Sequence, residues 1–185
     1  LIPSDFIVYK KVAIQMKRLF IIHGYNAYPE KHWFPWLKEQ FPHIPTEIIK
    51  LPNAHEPQLE EWLAAINEAV GEADEGTYIV AHSLGTQTTL HYAMQQQTLG
   101  GIILVSGFAE KIPHLAELDN FALPINDTHI KTIVAKRTII AAKDDSIVPF
   151  SCSERLAKRI DATFITQETG NHFMQSDGFT TLPIV

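Results

Sequence analysis

The sequence has 185 residues, of which 45% are hydrophobic and 19% are charged, and its formal net charge is -6. This length and composition are sufficient for one globular domain with a substantial core. The negative charge and the scattered positions of the 15 basic residues argue against nucleic acid as a partner, because binding to phosphate backbones requires clustered Lys and Arg.

Cysteine content and hydropathy indicate the compartment. Cys152 is the single cysteine of the sequence, which excludes an internal disulfide framework and favours a reducing compartment. No run approaches the roughly 20 apolar residues that are needed to cross a bilayer. Residues 1–15 lack the basic, apolar and small-residue order of a secretory signal. We therefore expect a soluble, cytoplasmic protein without membrane insertion.

The start of the domain is predicted near Met16. This residue stands directly before the basic pair Lys17-Arg18 and the first strong strand pattern. The order predicts that residues 1–15 are an extension, either a leader or a segment added for expression, and that residues 16–185 form a single domain. An intact mass of the natively expressed protein that included residues 1–15 would contradict this prediction.

Short apolar runs rich in β-branched residues alternate with longer segments of helical period, a pattern typical of a parallel sheet covered by helices on both faces. The predicted strands are 18–22, 77–81, 101–105, 137–142 and 162–166, with a weaker candidate at 46–51. The predicted helices are 33–41, 59–70, 84–97 and 151–160. Segment 107–136 is predicted to be irregular, too short for a cap domain but long enough for a flap over a site.

Ser83 lies between a predicted strand and a predicted helix, which is the context that a nucleophile elbow requires. The elbow is a strained turn, so the residues two before and two after the nucleophile must be small. Ala81 and Gly85 meet that requirement, although alanine replaces the usual first glycine. The alternative is an ordinary serine that caps the following helix.

Two other strand ends carry partners for a nucleophilic serine, which needs a base and a group that orients the base. Asp144 and Asp145 follow the run 137–142, and His172 follows the run 162–166. The chain order serine, aspartate, histidine is that of α/β-hydrolases, and all lie beyond the carboxyl ends of strands, where parallel sheets gather their sites. The alternatives are a turn aspartate and a surface-loop histidine.

The sequence resembles the α/β-hydrolase superfamily, and within it the small serine hydrolases related to retinoblastoma-binding protein nine and their bacterial counterparts. The resemblance covers about residues 18–180 and is carried by His23-Gly24, the helix with Trp62, Ala81-His82-Ser83-Leu84-Gly85, Asp145-Ser146-Ile147-Val148-Pro149 and Gly170-Asn171-His172-Phe173. It implies a three-layer α/β-hydrolase fold with a mostly parallel sheet, helices on both faces and a minimal lid.

The resemblance also implies the roles of particular residues. In the family the acid precedes two residues and then Val-Pro, a spacing that selects Asp145 over Asp144. The backbone N–H groups of Tyr25 and Leu84 would form the oxyanion hole. Family membership further implies hydrolysis without a cofactor.

The sequence therefore predicts a serine hydrolase, a carboxylesterase-like enzyme that cleaves small acyl esters through an acyl-enzyme intermediate. The expected partner is a small-molecule acyl substrate. The alternative is a hydrolase-fold binding or scaffold protein that acts through a protein partner, which no feature of the sequence indicates. Acyl transfer to an acceptor other than water would use the same three side chains.

The other histidines and the aromatic residues receive structural interpretations. The sequence has nine histidines but neither an HExxH nor a CxxC motif, so no metal site is predicted. His82 is expected to pack or to form a hydrogen bond, and His23 to be structural. The tryptophans at 33, 36 and 62 are expected in the core. An acyl pocket and simple packing remain equal alternatives for three further residues, Phe108, Phe150 and Phe173.

Overall fold

Residues 16–185 are described by a computed structural model, so the predicted extension, 1–15, lies outside the described residues. The described part contains one six-stranded sheet in the order β2-β1-β3-β4-β5-β6, with every neighbouring pair parallel. The strands are β1 (Arg18–Ile22), β2 (Thr46–Ile49), β3 (Thr77–His82), β4 (Leu99–Val105), β5 (Val134–Ala142) and β6 (Thr163–Gln167). All six predicted strands are confirmed, and the weakest candidate is the edge strand β2.

Helices cover both faces of this sheet. They are α1 (Phe34–Glu39), α2 (Leu59–Val70), α3 (Leu84–Ala93), α4 (Asp127–Ile133) and α5 (Phe150–Arg159), together with short 3₁₀ helices at Ala116–Phe121 and Gln175–Asp177. Helices α2 to α5 share one core with the sheet, whereas α1 and residues near the end of the chain share the core on the other face. The predicted three-layer α/β class is confirmed.

The prediction of an irregular segment over 107–136 was wrong in part. This segment contains α4 and a 3₁₀ helix, and β5 begins within it at Val134. The Asn126 side chain accepts a hydrogen bond from the His129 backbone N–H and caps α4, while Ile130 and Ile133 bury one face of the helix. The buried face is short and follows two prolines, which is why the sequence pattern favoured a loop.

The parallel strands place the candidate residues together, beyond the carboxyl ends of the strands. The chain reverses its direction across the sheet between β1 and β3, and crevices at such a switch point lie outside the carboxyl ends of the strands. The turn after β1 and the turn after β3 meet at this position.

Within residues 16–185, no helix is long and apolar enough to span a bilayer.

Candidate active site

Ser83 stands in a strained turn between β3 and α3. Its backbone has φ 53° and ψ -126°, a left-handed conformation that is costly for a residue other than glycine. The turn is held by the Ser83 N–H, which donates to Val105 O over 2.9 Å, and by the Ser83 carbonyl, which accepts from the N–H and the hydroxyl of Thr86. The Ser83 side chain forms no capping hydrogen bond, so the alternative of a helix-capping serine is wrong.

The small residues around this turn are required by its packing against the end of β1. A Cβ on Gly85 would lie 2.4 Å from the His23 carbonyl oxygen, and a Cβ on Gly24 would lie 2.9 Å from the Cβ of Ser83. Both distances are shorter than the van der Waals contact of the two atoms concerned. The atoms that leave no space for a side chain at residue 85 therefore belong to Ile22, the last residue of β1, and to His23, which follows it.

The structure brings all three predicted side chains together. Ser83 Oγ lies 2.8 Å from His172 Nε2, and His172 Nδ1 lies 2.9 Å and 3.1 Å from the two carboxylate oxygens of Asp145. A carboxylate only accepts hydrogen bonds, so Nδ1 carries the proton and Nε2 is free to accept the hydroxyl proton of Ser83. The side chains of His172 and Asp145 are 3% and 2% exposed, which shields their interaction from water.

The two neighbouring aspartates have different contacts. Asp145 Oδ1 also accepts the backbone N–H groups of Ile147 and Val148, each over 2.9 Å, so the residues that follow the acid orient its carboxylate. Asp144 Oδ1 instead accepts the Asn171 backbone N–H over 2.8 Å. The Asp144 side chain therefore supports the loop that carries His172, and Asp145 contacts the imidazole.

His23 connects the turn after β1 to the end of β2. Its Nε2 accepts the Leu51 backbone N–H over 3.0 Å, and its Nδ1 donates to Gly24 O over 3.0 Å. The ring is fully buried, and this burial lowers its pKa because the charged form loses its hydration. The prediction of a structural role for His23 is confirmed.

His82 lies next to Ser83, with its ring buried against His172. Its Nε2 donates to His172 O over 2.8 Å, whereas its Nδ1 has no hydrogen-bond partner among residues 16–185. Burial lowers the pKa of His82 well below its ordinary value, and the neighbouring His172 lowers it further. The prediction of packing and hydrogen bonding at His82 is confirmed.

Tyr25 and Leu84 lie where the turns after β1 and β3 meet. Leu84 is the first residue of α3, and its nitrogen would lie 3.3 Å from a Cβ on Gly24. In the described part of the chain, neither the Tyr25 nor the Leu84 backbone N–H donates a hydrogen bond. Two amide donors are thus left available beside Ser83, and their role in an oxyanion hole stays a prediction.

Sequence reasoning missed the contacts that fix the loop around His172. Trp33 Nε1 donates to Phe173 O over 3.1 Å, and the Asn171 side chain connects the backbone of Ser146 to the carboxylate of Asp177. The signal that the sequence offers for these contacts is the position of Asn171, directly before the predicted base His172.

The aromatic residues mostly pack in the core. Trp33 and Trp62 are fully buried as predicted, and Trp36 is partly buried. Phe108 and Phe173 are also buried in the two cores, so packing is the correct alternative for them. The ring of Phe150 lies 5.4 Å from that of Phe164.

Two cavities lie at opposite ends of the strands. An open cavity of about 770 Å³ borders Tyr25 and is lined mainly by polar residues, namely Asn53, His55, Glu56, Gln58 and Glu117. An apolar groove of about 300 Å³ borders Arg18, Thr138 and other residues near the amino ends of the strands. The polar cavity lies on the side of the candidate site. No group of three or more His, Cys, Asp or Glu side chains in residues 16–185 is arranged to hold a metal ion.

Comparison with known proteins identifies the family and the fold. A family model described as "Serine hydrolase" matches residues 19–185. The chain is 46% identical over 177 residues to YdeN of Bacillus subtilis (strain 168), covering 91% of this chain and 92% of that protein. It is 24% identical over 150 residues to the rat serine hydrolase RBBP9, covering 78% of this chain and 80% of that protein. The crystal structure of the B. subtilis ydeN gene product matches with a TM-score of 0.88 at 43% identity, covering 91% of this chain and 94% of that one.

The parallel sheet with helices on both faces and the turn after β3 therefore define an α/β-hydrolase fold. The chain belongs to the serine hydrolase family, and the predicted resemblance to the relatives of retinoblastoma-binding protein nine is confirmed. The protein is thus a hydrolase.

Proposed function

We propose that this hydrolase cleaves small carboxylic esters, with Ser83 as nucleophile, His172 as general base and Asp145 as the group that orients His172. The observation that carries the proposal is the pair of hydrogen bonds on the His172 ring, from Ser83 Oγ at 2.8 Å and to Asp145 at 2.9 Å. Nucleophile, base and orienting acid are connected in the arrangement that acyl transfer requires.

In the first step, the Ser83 oxygen forms a bond to the ester carbonyl carbon while its proton passes to His172 Nε2. The positive charge that develops on the imidazole is stabilised by the Asp145 carboxylate. The negative charge on the carbonyl oxygen would be bound by the backbone N–H groups of Tyr25 and Leu84. His172 then gives its proton to the departing alcohol, and the acyl group remains on Ser83.

In the second step, water attacks the acyl-enzyme, and its proton passes to His172 as the new bond forms. Expulsion of the Ser83 oxygen returns the proton to the serine and releases the carboxylic acid. The polar cavity borders Tyr25, one of the two proposed oxyanion donors, and its volume of about 770 Å³ lies within the range of small-molecule sites.

The test is labelling with a fluorophosphonate probe together with turnover of acyl esters of increasing chain length. Wild-type protein is expected to label at one site and to release free acid, whereas Ser83→Ala should do neither. Ser151→Ala is the matched control, because Ser151 is exposed at the start of α5 and should leave both measurements unchanged.

Absence of labelling in folded wild-type protein, while a known esterase reacts beside it, would contradict the proposal. Binding of a protein partner that is unchanged by Ser83→Ala, without turnover of any ester, would support the scaffold alternative. Transfer of the acyl group to an added alcohol in preference to water would instead identify an acyltransferase.

A further inference from the structure

Two consecutive carbonyl groups in the loop that carries His172 are held by side chains from other elements. His82 Nε2 lies 2.8 Å from His172 O, and Trp33 Nε1 lies 3.1 Å from Phe173 O. A carbonyl oxygen only accepts, so both ring nitrogens donate. The two donor residues are buried, with exposures of 2% for His82 and 0% for Trp33, which strengthens both hydrogen bonds.

The backbone of this loop is strained on both sides of His172. Asn171 has φ 45° and Phe173 has φ 53°, and neither residue is glycine. Such conformations cost of order 1–3 kcal/mol each and persist only where the surroundings hold them. The hydrogen bonds from His82 and Trp33 hold the carbonyl groups of His172 and Phe173, which are the carbonyls directly before and after the N–Cα bond of the strained residue Phe173.

The contact from His82 also connects the loop directly to the nucleophile. His82 is the last residue of β3 and the neighbour of Ser83, so the strand that carries the nucleophile also holds the backbone of the proposed base. The His82 and His172 ring centroids are 4.9 Å apart. Burial keeps His82 neutral by lowering its pKa, so its ring adds no positive charge beside His172.

We infer that His82 and Trp33 are positioning residues, which hold the carbonyls of His172 and Phe173 so that the His172 ring stays within hydrogen-bond distance of Ser83. The inference rests on the proposed function of Ser83 and His172. Neither His82 nor Trp33 takes part in the chemistry. They act on the base through its backbone.

The experiment compares His82→Leu, which removes the donor, with His82→Gln, which places an amide N–H at similar reach. His82→Leu should lower kcat for an ester substrate by about 10–10²-fold with little change in KM, because a small misplacement of a catalytic group costs that much. His82→Gln should recover most of the lost kcat. Backbone hydrogen exchange over residues 170–174 should be faster in His82→Leu than in wild type or His82→Gln.

His91→Leu is the matched control. His91 is buried in α3, and its ring also contacts a carbonyl, Phe121 O, over 3.1 Å, but this contact lies outside the candidate site. Its loss should reduce stability while leaving kcat and exchange at 170–174 unchanged. Trp33→Phe removes the second donor and should lower kcat as well, which keeps the inference testable if His82→Leu does not fold.

The inference for His82 would be overturned if folded His82→Leu had the same kcat as wild type and the same rate of backbone hydrogen exchange over residues 170–174. An equal loss in folded His82→Leu and His82→Gln would also overturn it, since a donor role requires rescue. Failure of wild-type protein to react with the fluorophosphonate probe would reject the proposed function instead. The exchange measurement would then still show whether His82 holds the loop.

Discussion

The two aspartates after β5 differ by one position in the chain and by their contacts. Asp145 accepts a hydrogen bond from the His172 Nδ1–H group, whereas Asp144 accepts one from a backbone N–H of the neighbouring loop. An amide at either position could still accept a backbone N–H. An amide at 145 lacks the negative charge that stabilises a protonated imidazole and can donate to His172, which would favour the wrong tautomer.

We therefore expect Asp145→Asn to lower kcat by about 10⁴-fold, as in other sites of this type, and to leave the fold intact. Asp144→Asn should change kcat by less than about tenfold, since its side-chain oxygen can still accept the Asn171 N–H. Steady-state kinetics on one ester measure both effects. Equal losses in the two variants, or a larger loss for Asp144→Asn, would contradict the assignment of the acid.

The start of α3 is packed against the end of β1 with no space for a side chain at residue 85. A Cβ there would also lie 3.0 Å from Ile22 atoms and would push the first turn of α3 away from β1. That turn carries the Leu84 N–H and the strained backbone of Ser83.

Gly85→Ala is expected to lower the free energy of unfolding by about 1–3 kcal/mol and to slow fluorophosphonate labelling, because overpacking displaces the turn. Gly71→Ala is the control. Its φ of 67° also disfavours alanine, but open space surrounds it, so only stability should fall. Chemical denaturation and labelling rates test the prediction, which fails if Gly85→Ala labels as fast as wild type.

The sequence predicted the elements well where a pattern is local. The β-branched runs gave all six strands, and the order of Ser83, Asp145 and His172 after their strands gave the members of the candidate site. Helix α4 was missed because its buried face is short. The contacts of His82 and Trp33 with the loop join residues 90 and 140 positions apart, and they depend on loop geometry that no local pattern encodes.

For the whole molecule, buried histidines couple stability to pH. Burial lowers the pKa of three of them, His23, His82 and His91, and partial burial lowers the pKa of a fourth histidine, His32, to about 4. In the unfolded chain each would titrate near the ordinary value of 6.5. Below that pH the unfolded chain binds more protons than the folded chain, so acid favours unfolding.

We expect the stability contributed by these histidines to be present above about pH 6.5 and to be lost as the pH falls toward about 4. Melting temperatures at about pH 7.5 and about pH 5 measure the loss. His91→Gln should make the difference smaller, because it removes one such group but keeps a donor for Phe121 O. His114→Gln, at an exposed position, should not. Equal pH dependence in all three proteins would contradict the expectation.

The proposed base, His172, lies in the loop that follows β6, a strand at the edge of the sheet. Within residues 16–185, β6 pairs with β5 alone, and all five of its residues are partly exposed or exposed. The proposed nucleophile instead follows β3, which lies between two strands. Edges of this kind fray before the centre opens. Mild heat or denaturant would therefore loosen β6 while the inner strands still pair, and the His172 loop would keep only its contacts with other elements, such as those from His82 and Trp33. Catalysis would then be less durable than the fold that supports it.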